Sequence, residues 1–84
     1  MKKICWFVDE LDNYKDFICV FDDSDDKEEI ADAINKEIVR MGLFSPTEEY
    51  NDKEGIYEIG RSLAYNGEAQ YNEYSFKVEN IKEL

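Results

Sequence analysis

Eighty-four residues carry 21 acidic and 10 basic side chains, a formal net charge of −11. That length supports one domain, 1–84, with a small core, while 43% hydrophobic and 14% aromatic residues make the chain too apolar for disorder. The charge disfavours nucleic acid and anionic membrane as direct partners, because phosphate binding needs Lys/Arg neutralisation; it favours a basic protein met by fast, salt-sensitive association.

The chain opens on "KKICWFV" (2–8), rich in β-formers, as is "DFICVF" (16–21). The polar "DELDNYK" between them suits a loop, and the three pieces read as an antiparallel hairpin. If it closes symmetrically, Cys5 and Cys19 lie near each other, which by itself requires no redox role. Two cysteines are too few for a disulfide scaffold and read as buried thiols. The Met-Lys-Lys start resembles a leader, but its apolar run is short and Asp9 and Glu10 follow. A signal is therefore rejected and a cytoplasmic protein expected.

Residues 25–41 read as a helix: Ile30, Ile34, Ile38 and Met41 recur at helical spacing, flanked by Ala31 and Ala33. Ser24 or Asp25 can cap it, with Glu28 three residues after Asp25. Gly42 stands where a left-handed residue ends a helix. "SPTEEY" (45–50) marks a short helical turn, and 51–55 reads as loop.

In the last third, Asn66-Gly67 is a strong hairpin signal. Centred there, the register sets Tyr65 opposite Glu68, Ile59 opposite Tyr74 and Tyr57 opposite Phe76. Ile56, Ile59, Gly60, Leu63 and Ala64 also fit a helical stripe, but Gly55 and Gly60 would cost that helix about 1 kcal/mol each. The hairpin is preferred. The expected fold is α+β, ββαββ: a four-stranded antiparallel sheet of two hairpins with one amphipathic helix on one face.

No residue set points to catalysis. Histidine is absent, which removes the usual general base and the commonest metal ligand. No Cys-x-x-Cys spacing or glycine-rich phosphate loop appears. "DDSDD" (22–26) resembles a calcium loop, yet Lys27 stands where the glycine is due and Ala33 where the bidentate acid is due. No cofactor, no metal and no enzymatic activity are expected.

The acids remain to be explained. Asp25, Glu28, Glu29 and Asp32 fall on the solvent side of the helix, where a first turn favours them through the macrodipole, and Asp32 pairs with Lys36 at i,i+4 spacing. Asp9, Glu10 and Asp12 crowd the first loop, and Glu48, Glu49, Asp52 and Glu54 the segment after the helix; the dipole explains neither. Convergence of these groups would create one anionic surface imitating a phosphate backbone. Tyr14, Tyr50, Tyr65 and Tyr71, near loops and turns, would add contact area, while Tyr57 and Tyr74 belong to the core.

A strand ending in "FDDSDD", one amphipathic helix and a closing hairpin ending in "YSFKVENI" resemble the small acidic proteins of bacteriophages and mobile elements, anti-CRISPR proteins among them. The resemblance is one of pattern and composition across the chain. It implies an inhibitor that occupies the nucleic-acid groove of a basic host protein, a Cas effector or a nuclease. The expected partner-binding residues, taken from the acidic segments, are Asp22, Asp23, Asp25, Asp26, Glu28, Glu29, Asp32, Glu48, Glu49 and Tyr50. Alternatives are an immunity or antitoxin protein neutralising a basic nuclease, which a neighbouring toxin gene would reveal, and a sheet-edge homodimer, which light scattering would reveal.

Overall fold

A computed structural model describes residues 1–9, 11–12 and 14–81. The elements run β1 (Lys2–Asp9), β2 (Tyr14–Asp22), α1 (Lys27–Arg40), α2 (Pro46–Asn51), α3 (Lys53–Asn66), β3 (Glu68–Tyr71) and β4 (Tyr74–Asn80). The strands form one antiparallel sheet in the order β2-β1-β4-β3. The fold is α+β, as the sequence indicates. The single-helix ββαββ order is corrected to ββαααββ.

The first hairpin forms with Cys5 directly opposite Cys19. A bulge follows: Trp6 pairs with Phe17, leaving Ile18 as the extra residue. Phe17 and Val20 therefore both point away from the helices, which restores the alternation that one added residue would break. Cys5, Phe7, Cys19, Phe21, Phe76 and Val78 line the other face and meet the helices in the core.

α1 is capped by Asp26, whose side chain accepts from the Glu29 N–H at 3.2 Å, one residue later than Asp25 and two later than Ser24, the caps expected from the sequence. Ile30, Ala31, Ile34 and Ile38 are its buried stripe. Gly42 follows at φ 74°. Ser45 and Glu48 form a reciprocal capping box that starts α2, as the Ser-Pro signal indicates.

Residues 56–66 are helix, not strand. Asn66-Gly67 is a helix end rather than a hairpin turn: Gly67 adopts φ 81° and its N–H donates to Leu63 O at 3.1 Å. The actual turn falls at Asn72-Glu73, with Asn72 at φ 52°. The expected facing pairs are replaced: Tyr74 opposes Tyr71, and Phe76 opposes Ala69 and Phe7.

Packing decides the matter. Ile56, Ile59, Leu63 and Ala64 are buried in α3, and fully burying a large aliphatic side chain is worth about 1.5–3 kcal/mol, more than a helical glycine costs. Gly60 is also required. A Cβ there would run into the Ala31 carbonyl oxygen and come within 2.6 Å of the Asn35 amide. Asn35 bridges the two helices, donating to Tyr57 O at 2.8 Å and accepting from Gly60 N at 3.0 Å. Tyr57, expected in the core, lies on the outer side of α3 and is exposed; Tyr74 does pack against the core.

Candidate partner-binding surface

The topology gives the molecule two ends. At one, the chain enters β1 and β2 leaves for α1. At the other, which we call the loop end, lie the β1–β2 loop, the β3–β4 turn and α2. Among the described residues, the acidic segments singled out in the sequence do not merge into one patch but are divided between these ends.

At the first end most carboxylates are already engaged. The N-terminal ammonium lies 3.4 Å from Asp22 and 3.0 Å from Asp23. The Ser24 N–H and hydroxyl donate to Asp22 at 3.0 and 2.8 Å, holding its carboxyl at about 2. The ammonium likewise holds Asp23 below the usual carboxylate range. Asp26 is the α1 cap. Arg61 reaches across from α3 to Glu28 at 3.4 Å, and also binds Glu58 at 3.3 Å. Asp32 pairs with Lys36 at 3.3 Å. Asp25 and Glu29 are exposed, and the described residues offer them no ion pair. Thus Asp22, Asp23, Asp26, Glu28 and Asp32 have local work, and of this acidic segment Asp25 and Glu29 make no ion pair among the described residues.

The loop end differs. Phe44 packs edge-on against Tyr71 and Tyr74, with centroids 5.2 and 5.6 Å away. Asp52 accepts from the Tyr71 hydroxyl at 2.6 Å while capping α3 through the Gly55 N–H. α2 is thereby held between two residues that both touch the β3–β4 hairpin, and Glu48, Glu49 and Tyr50 sit at this end. α1 is 14 residues, about 21 Å long, and separates them from Asp22 and Asp23. Asp9 and Glu73 flank a shallow depression that also includes Leu11.

Asp9, Asp12, Glu48, Glu49, Asp52, Glu54 and Glu73 therefore lie toward the loop end with Lys53 beside them; Asp9, Glu48 and Asp52 accept local hydrogen bonds, but among the described residues none of the seven makes an ion pair. Glu10 belongs to the same loop but lies outside the described residues. Two apolar side chains stand out among these acids: Leu11 is 98% exposed and Tyr50 81%. Tyr14, opposite Asp9 in the hairpin, is also exposed and donates its hydroxyl to Asp16 at 3.0 Å. The charge runs in the sequence mark both groups of acids; only the fold shows which of them are already paired.

The open face of the sheet is the other distinctive surface. Ile4, Trp6 and Val8 lie on it beside Phe17 and Val20, which are exposed. Lys15 stands 5.6 Å over the Trp6 ring and pairs with Glu79 at 2.8 Å; Lys77 binds the same carboxylate at 3.0 Å. The β2 edge beside it carries the bulge, Lys15 and Asp16, features that discourage strand addition. Among the described residues no group of three or more potential ligands could hold a metal ion, and no helix is long and apolar enough to cross a membrane.

Fold and surface define an α+β domain with an open-faced four-stranded sheet and an acidic loop end. No protein-family model, no curated protein and no solved structure matches the chain.

Proposed function

We propose that the chain is an acidic protein-binding module that captures a basic, nucleic-acid-binding protein and competes with nucleic acid for its groove. The supporting observation is the loop end, where carboxylates from three separate segments lie without ion pairs among the described residues and where Leu11 and Tyr50 are exposed. Like charges on one end of a small domain repel one another, so the arrangement costs stability that an external cationic surface would restore. Exposed aromatic and aliphatic side chains among charges supply the contact core of such an interface. An inhibitor of a host Cas effector or nuclease is the biological setting that the composition favours.

The experiment is affinity capture from a bacterial host lysate at low and high salt, followed by displacement of a labelled oligonucleotide from the captured protein. Asp12→Lys/Glu73→Lys should abolish capture and displacement, and Asp25→Lys/Glu29→Lys should retain them. The reverse result moves the site to α1. Capture insensitive to both pairs and to salt would refute charge mimicry.

A further inference from the structure

Cys5 and Cys19 face each other directly across the β1–β2 ladder, on the helix side of the sheet. Directly opposed residues of antiparallel strands have Cα atoms about 4.5–5.5 Å apart, within the roughly 4.4–6.8 Å that a disulfide spans. Both thiols are free. Their surroundings differ: Cys5 is fully buried, whereas Cys19 is half-buried and opens into a groove of about 560 Å³ between β2 and α1, beside Phe17, Ala33 and Glu37. The pair thus consists of one half-buried thiol bordering a groove and a fully buried one directly opposite it.

We propose that Cys5 and Cys19 form an oxidisable dithiol that low-molecular-weight disulfides of the glutathione type convert to an internal cross-strand disulfide, with Cys19 as the attacking thiol and Cys5 as the resolving one. Cys19 thiolate attacks one sulfur of the reagent, whose S–S bond breaks, and the first small thiol leaves. Cys5 then loses its proton to the departing thiolate and attacks the Cys19 sulfur; the mixed disulfide breaks and the second small thiol leaves. The two cysteines lose two electrons together, and the reagent gains them as two thiols. The order of attack agrees with the thiols' acidities. The Cys5 thiol, donating toward the Cys19 sulfur, holds Cys19 below its ordinary value, while that bond and burial push Cys5 far up.

The product would staple the β2 edge to β1 next to the bulge, locking the register where the ladder is irregular. This goes beyond partner capture and does not rest on it, since the dithiol lies on the helix side of the sheet, away from the loop-end acids.

The test treats the full chain with oxidised glutathione and reads intact mass, free-thiol count and peptide map. Expected are loss of both free thiols, a mass lower by two hydrogens, a Cys5–Cys19 linked peptide and a raised thermal midpoint. Cys5→Ser should instead stop at a glutathione adduct on Cys19, and Cys19→Ser should leave Cys5 unreacted while folded, with far-UV circular dichroism checking both variants. A wild-type chain that keeps two free thiols, ends as a stable Cys19 adduct, or links to a second chain overturns the proposal without any variant being needed.

Discussion

Glu79 holds two lysines at once, and its carboxyl is depressed from the ordinary 4.5 to about 2 by hydrogen bonds from Lys15 and then Lys77. A carboxylate with a lowered folded-state value stabilises the fold above its unfolded value and loses that contribution as it is protonated. The window for Glu79 runs from pH 4.5 down to about 2, and that for Asp22 from 3.8 to about 2. Glu79→Gln should therefore show a smaller fall in thermal midpoint between pH 4.5 and 2 than the wild type, measured by calorimetry. Asn35 presents a different residue-scale case, being the buried polar side chain at the α1–α3 crossing. Asn35→Ala leaves the Tyr57 carbonyl and the Gly60 N–H without their bridge, and should cost about 1–3 kcal/mol in urea unfolding. Its hydropathy pattern gave no sign of this role, because an asparagine beside apolar helix positions reads as solvent-facing until a second helix is placed against it.

α3 shows where local signals and packing part company. Asn-Gly favours a left-handed residue, a conformation shared by tight hairpin turns and helix ends. Composition around Asn66-Gly67 could not separate the two uses, and counting Gly60 as a helix penalty tipped the reading toward strand. In the fold the same glycine is what lets α1 and α3 approach. Gly60→Ala should destabilise by about 1–3 kcal/mol, since the added methyl meets the Ala31 backbone carbonyl as well as the hydrogen-bonded Asn35 amide. In an ordinary exposed helix the same change would stabilise, so the sign of the measured shift decides whether the glycine is a packing device. α1, α2 and the first hairpin needed no such help: periodicity, caps and turn residues there all point one way, and the errors are confined to a residue or two at their ends.

Across the whole molecule, an excess of negative charge left partly unpaired makes stability depend on salt. The thermal midpoint should rise with ionic strength as repulsion at the loop end is screened. Asp12→Lys/Glu73→Lys should raise the low-salt midpoint and flatten that dependence while weakening partner capture. A pair that lowered the midpoint instead would show these carboxylates to be structural. Tyr50→Ala should leave the midpoint nearly unchanged, because the side chain is 81% exposed, yet weaken capture if Tyr50 is a contact anchor. The sequence by itself determined the net charge, the apolar stripe of α1, the pairing of Cys5 with Cys19 and the α+β class, since each follows from composition or from contacts between near neighbours in the chain. Tertiary structure alone decided that residues 56–66 form a helix and which carboxylates make ion pairs among the described residues. Both depend on what distant segments bring alongside: Ala31 and Asn35 against Gly60, Arg61 against Glu28, and the N-terminal ammonium against Asp22 and Asp23.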